Sequence, residues 1–175
     1  MADSTTDPIP EPELPLVRLG SGRAAEVFRW SPGVALKLSR EPQFDQGLQL
    51  EAAALRAAAD AGVPVPRPRG MVTHEGRAGL LMDLIEGADI LSTLEKKPWR
   101  VWSLGSLTGK VHAQLGEAVA PPGAQDVITG ARSLVAGSER VPESAKPRVL
   151  ALLDTVHGGD RLCHLDFHPG NVMLT

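Results

Sequence analysis

Three short apolar runs, residues 14–19, 26–30 and 34–38, restrict the fold more than any other feature of this chain. Gly20-Ser21-Gly22-Arg23-Ala24-Ala25 fills the first gap and Ser31-Pro32-Gly33 the second. Parallel strands need a crossover of a dozen or more residues, so gaps this short require an antiparallel meander and exclude a βαβ unit. A helix is predicted next over residues 46–61, ended by Gly62 and blocked by Pro64 and Pro66. Residues 70–74 and 78–85 read as a hairpin turned by Glu75-Gly76-Arg77, and Glu86-Gly87 marks a lobe boundary.

Beyond that boundary the pattern turns helical. Residues 101–119 carry Leu104, Leu107, Val111 and Leu115 on one predicted face, and residues 149–156 form a short apolar helix. Residues 121–147 are rich in Pro, Gly and Ser and yield no clear element. Leu162-Cys163 and Val172-Met173-Leu174 flank a polar loop. The expected division is a flexible tail over 1–13, rich in proline and acids, an N-lobe over 14–86 and a C-lobe portion over 87–175.

Composition narrows the function. A net charge of −3, no cluster of Lys and Arg and 3% aromatic residues leave no footprint for nucleic acid. One cysteine, Cys163, rules out an internal disulfide and fits a reducing compartment. No basic-then-apolar leader opens the chain, and the most apolar stretch, residues 78–91, is interrupted by Asp83, Glu86 and Asp89. A cytoplasmic protein with no membrane partner is expected.

Gly20-x-Gly22-x-x-Ala25-x-Val27 has the composition of a phosphate cradle, in which bare backbone N–H groups approach an anion. A dinucleotide fingerprint runs from strand through loop to helix; here a strand follows the loop, which favours a flap between two strands. The bland alternative is an ordinary hairpin turn. Gly105-Ser106-Leu107-Thr108-Gly109-Lys110-Val111 mimics a P-loop but is one residue short and has Val where Ser or Thr must bind magnesium. Lys37 ends Val34-Ala35-Leu36-Lys37, a strand pattern whose lysine reaches nucleotide phosphates. Glu51 lies beside the predicted apolar stripe Leu48, Ala52, Leu55 and Ala59, not opposite it. A carboxylate there needs a cation, because an unpaired buried charge costs several kcal/mol. Lys37 is the natural partner, and a solvent-reaching Glu51 is the alternative.

The most specific motif is His164-Leu165-Asp166-Phe167-His168-Pro169-Gly170-Asn171. A carboxylate at Asp166 would orient an acceptor hydroxyl, and Asn171, five positions on, would offer a neutral oxygen to magnesium. His164 reads as a core residue pinning the loop, and Cys163 as a small buried apolar side chain. The rival reading places His164, Asp166 and His168 on one side of a strand as zinc ligands, in a metal-dependent hydrolase; Pro169-Gly170 argues for a loop instead.

With these motifs in place, the sequence from about Leu16 to Thr175 resembles the aminoglycoside phosphotransferase and choline kinase-like superfamily. The resemblance implies an α+β, protein-kinase-like two-lobe fold and transfer of a phosphoryl group from ATP, with GTP as the alternative nucleotide, to a hydroxyl of a small molecule. It implies that Gly20, Gly22 and Val27 cover the nucleotide, Ala35 lines its pocket, and Lys37 with Glu51 holds its phosphates. Met82 backs the adenine pocket, the Asp83 carbonyl and Ile85 N–H read the adenine edge, Asp166 is catalytic and Asn171 binds Mg2+. Ala25 stands where the third flap glycine usually lies, and His112 matches a structural histidine. The family pattern carries a second metal-binding aspartate about a dozen residues past the asparagine. None follows Asn171 before Thr175, so a truncated and catalytically incomplete kinase is expected, with the hairpin partner of residues 172–174 lying beyond the chain. The alternative is a non-catalytic nucleotide-binding or interaction module.

Overall fold

The structure is a computed structural model and describes residues 9–175. Strands β1 (Val17–Ser21), β2 (Ala25–Ser31) and β3 (Val34–Ser39) form the expected meander. Helix α1 (Asp45–Asp60) follows, then the hairpin β4 (Pro68–His74) and β5 (Arg77–Asp83). All neighbours pair antiparallel in the order β1-β2-β3-β5-β4. Glu75 (φ 51°) and Gly76 (φ 74°) turn the hairpin. Successive positive φ values give a turn whose twist matches the strands it joins, and Gly76, with no side chain, adopts its value at no steric cost.

The alternation of strand side chains builds two apolar layers from one sheet. Trp30, Val34, Leu36, Leu38 and Leu81 form one cluster; Leu80 turns to the opposite face and packs with Leu48 and Ala52 of α1. Leu36, Leu80 and Leu81 retain no exposed surface. Residues 1–8 of the expected tail lie outside the described residues. Over 9–13 the chain is tied to the sheet: Trp30 Nε1 donates to the Pro10 carbonyl at 2.6 Å, and the Glu13 N–H to the Trp30 carbonyl at 2.7 Å. β1 starts later than predicted, after Pro15, which has no N–H to give a ladder.

The rest of the described chain contains β6 (Ala88–Asp89), α2 (Ile90–Lys96), α3 (Val101–Leu115), α4 (Val127–Gly137), α5 (Lys146–Leu153) and β7 (Met173–Leu174). α2 escapes the sequence reading because it is short and α4 because it lies in the stretch rich in Pro, Gly and Ser, but both carry a cap. Asp89 accepts from the Ser92 N–H at 2.8 Å and Asp126 from the Thr129 N–H at 2.7 Å. These bonds, with those from the Ser92 and Thr129 hydroxyls, hold both carboxyls below the usual carboxylate range. On α3, Leu104 and Leu115 are buried but Leu107 is 40% exposed, so the inward face is narrower than predicted. Leu115 packs with Ala58 and Val63, and the half-buried Val111 and Leu162 join them, so the end of α1 rests on α3. β7, expected to pair with residues beyond Thr175, pairs with β6 through Ala88–Leu174 and Asp89–Met173. The α+β, kinase-like architecture is as expected.

Candidate active site

Strand register gathers the proposed nucleotide residues. Val27 pairs with Lys37, and Lys37 with Leu80; Arg29 pairs with Ala35, and Ala35 with Met82. Directly paired residues share a face, so Val27, Ala35, Lys37 and Met82 lie on the side of the sheet that Leu80 presents to α1. Glu51, one turn along α1 from Leu48, faces the same space. The Lys37 ammonium donates to both Glu51 carboxylate oxygens, at 2.7 and 2.6 Å. The two side chains are 28% and 35% exposed, so the pair is partly desolvated and open to a ligand on one side. The carboxylate fixes where the amine points, leaving its remaining donor for an anion.

Below the flap lies a cavity of about 510 Å³ whose walls include Gly22, Arg23, Val27, Lys37, Phe44 and Glu51. The flap closes on itself through a Gly22 N–H to Ala25 carbonyl bond of 2.8 Å. A Cβ at Gly20 would meet nothing within 4 Å, so the space on that side of the strand is open. Gly20 is not part of the cavity wall.

At the far end of β5 the chain leaves the sheet through the residues assigned to the adenine edge. The Asp83 N–H is taken by the Arg67 carbonyl at 3.0 Å and the Leu84 N–H by the Gly33 carbonyl at 2.9 Å. Asp83 Oδ1 accepts from Arg69 Nε at 2.8 Å, and Arg29 bonds Glu86 at 2.8 Å just beyond. Among the described residues no protein acceptor takes the Ile85 N–H, which stays available to a ligand.

The third group lies on the loop between α5 and β7. Residues 160–162 are fastened to the segment just after α3 by bonds from the Ala120 N–H to the Asp160 carbonyl and from the Leu162 N–H to the Ala118 carbonyl, both 2.8 Å. Pro169–Asn171 makes a single 3₁₀ turn that brings Asn171 back over Asp166. Asn171 Nδ2 donates to the Asp166 carbonyl at 2.9 Å and to its Oδ2 at 3.3 Å. Among the described residues the amide oxygen of Asn171 accepts no hydrogen bond, which leaves a neutral ligand atom of the kind that suits a hard cation such as magnesium. Phe167 supports the loop from inside, against His112 at 4.9 Å and His164 at 5.6 Å between ring centroids.

Two expectations need correction, and the rival zinc reading falls away. His164 is exposed, not core; it stacks edge-on against Phe167 and accepts from the Asp166 N–H at 3.3 Å. Cys163 is exposed as well. The zinc arrangement does not form: Leu165 adopts φ 65°, which breaks the strand alternation that would align His164, Asp166 and His168. Among the described residues no three His, Cys, Asp or Glu side chains converge as a metal ion would require.

Gly22, Val27, Lys37 and Glu51 thus surround one cavity, Ala35 and Met82 continue its sheet face towards Asp83 and Ile85, and Asp166 with Asn171 forms a separate couple outside the cavity wall. Sequence reasoning missed Arg23 and Phe44, which line the cavity. It also missed Arg40, which touches the flap from the end of β3. Arg23 was legible as the cation at the flap tip, whereas Arg40 has no local signal because its partners are about twenty residues upstream.

A family model described as the phosphotransferase enzyme family matches residues 15–175. The chain belongs to that family. Phosphoryl transfer is therefore its chemistry at the family level, and the match runs through the flap, the Lys37–Glu51 pair and the Asp166–Asn171 loop alike. A search of curated proteins finds no match to the chain. Among the described residues no helix is long and apolar enough to cross a membrane.

Proposed function

We propose that this chain carries the nucleotide-binding and phosphoryl-transfer residues of an ATP-dependent kinase acting on a hydroxyl of a small molecule. The observation that carries the reading is the bidentate Lys37–Glu51 pair beneath the glycine flap, with the sheet face of Val27, Ala35 and Met82 beside it. Lys37, aimed by Glu51, binds phosphate oxygens; Gly22 and its neighbours cover them; the free Ile85 N–H donates to the base. Asp166 orients the acceptor hydroxyl and receives its proton as the oxygen attacks the terminal phosphorus, the bond from that phosphorus to the bridging oxygen breaks, and ADP leaves with the electron pair. Asn171 keeps its side-chain oxygen for the cation, since its amide nitrogen donates to Asp166. Mg2+, when bound, neutralises charge on the phosphates. The acceptor is taken to be a free small molecule, with neither nucleic acid nor membrane as partner, and the setting to be the cytoplasm, where Cys163 would stay reduced.

Calorimetry with MgATP tests the reading, followed by transfer of labelled γ-phosphate to a panel of aminoglycosides, amino alcohols and sugars. Binding that Lys37→Met abolishes is expected, and transfer reduced about 10²–10⁴-fold by Asp166→Ala. Transfer at full rate in Asp166→Ala would remove Asp166 from the mechanism. A second reading, a nucleotide-binding module without turnover, draws on one observation: Asp166 is exposed and outside the cavity wall. Tight MgATP binding with no transfer to any acceptor would favour it.

A further inference from the structure

We propose that Arg40 is a positioning residue for the nucleotide flap, a strap that holds residues 21–24 in their covering form before any ligand arrives. The proposal rests on the nucleotide reading above and adds to it a residue with no phosphate contact of its own.

A loop of Gly20-Ser21-Gly22 is by composition the most costly kind of segment to order, since glycine gives up more backbone freedom than any other residue. Within the flap itself the Gly22–Ala25 bond is a single closure. Arg40 supplies the rest from outside. Its main-chain N–H donates to the Ala24 carbonyl at 3.0 Å, its Nε to the Gly22 carbonyl at 2.9 Å, and a terminal guanidinium nitrogen to Ser21 Oγ. One residue thereby grips three of the four positions at the flap's tip.

The strap is itself fixed. Glu26, at the foot of the flap, lies 3.7 Å from the Arg40 guanidinium and is held in turn by Arg77 at 3.0 Å and Arg18 at 3.4 Å. Arg77 also donates to the Ser39 carbonyl at 2.7 Å, anchoring the residue before Arg40. Glu26 pairs with Ser21 on β1 and with Leu38 on β3, so this carboxylate sits where flap and strap leave the sheet.

The geometry separates Arg40 from Arg23. Arg23 lines the cavity with Lys37 and is placed to meet phosphate directly. Arg40 lies outside the cavity wall and spends its donors on flap oxygens. It therefore acts through the backbone: a flap already ordered costs less to close over a ligand, and affinity rises by the cost avoided. A lysine cannot serve in its place, because one ammonium on a flexible stem does not reproduce a planar fork reaching two acceptors at once.

The test combines two readouts on the whole chain, for the unmodified protein, Arg40→Gln, Arg40→Lys and Lys37→Met. Hydrogen–deuterium exchange of a peptide spanning residues 20–26, without nucleotide, reports the strap. MgATP affinity by calorimetry reports its use. In Arg40→Gln flap exchange should accelerate and MgATP affinity fall, each by about tenfold or more, as expected for two lost hydrogen bonds. Arg40→Lys should recover at most part of either. The thermal midpoint should move by no more than a few degrees, since the Arg40 side chain is 38% exposed and its loss opens no cavity. Flap exchange unchanged in Arg40→Gln overturns the strap, and so does faster exchange with unaltered MgATP affinity. Affinity that depends on Lys37 but not on Arg40 sinks this proposal alone. Absence of MgATP binding in the unmodified chain sinks the nucleotide reading and this proposal together.

Discussion

In the sheet-and-helix unit formed by residues 14–86, strand register and helix packing bury Leu36, Leu80 and Leu81 completely; α4 and α5, further along, bury no residue. Thirteen of the seventeen buried apolar side chains among the described residues belong to the first unit, and Trp99, Trp102 and Leu134 in the second are more than 70% exposed. The two regions are therefore held by different means. The first has a two-layered apolar core. The second depends on local devices: the Asp89 and Asp126 caps, the β6–β7 pairing and the docking of Leu115 on Ala58. The proposed site inherits this contrast, since Lys37 and Glu51 stand on the well-packed unit while Asp166 and Asn171 depend on a loop with little buried surface.

That contrast can be broken experimentally. Leu36→Ala should cost about 2–5 kcal/mol in urea unfolding, as large-to-small changes in packed cores do. Asp126→Ala should cost less, by the loss of a helix cap, and should speed proteolysis around α4 before it touches the sheet. Leu134→Ala, on the exposed face of α4, should stay within about 0.5 kcal/mol. Equal losses at Leu36 and Leu134 would end the distinction.

The smallest effect expected is a pH dependence. The hydrogen bond from Arg77, aided by the Arg40 charge and by Arg18, holds the Glu26 carboxyl below its ordinary range, against partial desolvation. A group lowered on folding adds stability that is complete above its unfolded pKa and is lost as pH falls through the folded one. Acid titration followed by flap exchange should therefore show a loosening below the ordinary glutamate range, and Glu26→Gln should remove that pH dependence while leaving the rest of the sheet intact. A flap whose exchange is equally pH-sensitive in Glu26→Gln would exclude Glu26 as the source.

Much of this was legible from local pattern. Turn residues at Gly33 and Gly76 mark the strands, Leu48, Ala52 and Ala59 mark the buried face of α1, and Pro169-Gly170 between Asp166 and Asn171 argues for a loop. Such signals survive because they act over a few residues, through φ preferences and helical or strand periodicity. α2 was not legible because it is too short for periodicity to show, and α4 because Pro, Gly and Ser around it read as loop; only the capping aspartates betray them. The burial of His164 and Cys163 was misjudged for a related reason: apolar neighbours in sequence do not imply apolar neighbours in space.

The sequence by itself determined the residue types, the order of the strands and the charge that Glu51 must find. The Lys37–Glu51 pair was expected from the sequence, but tertiary structure alone decided that β7 pairs with β6 and that Arg40 reaches back across nearly twenty residues to hold the flap. Pairings of this kind are set by which face each strand turns inward and by which elements pack together, and no local window of sequence contains both partners.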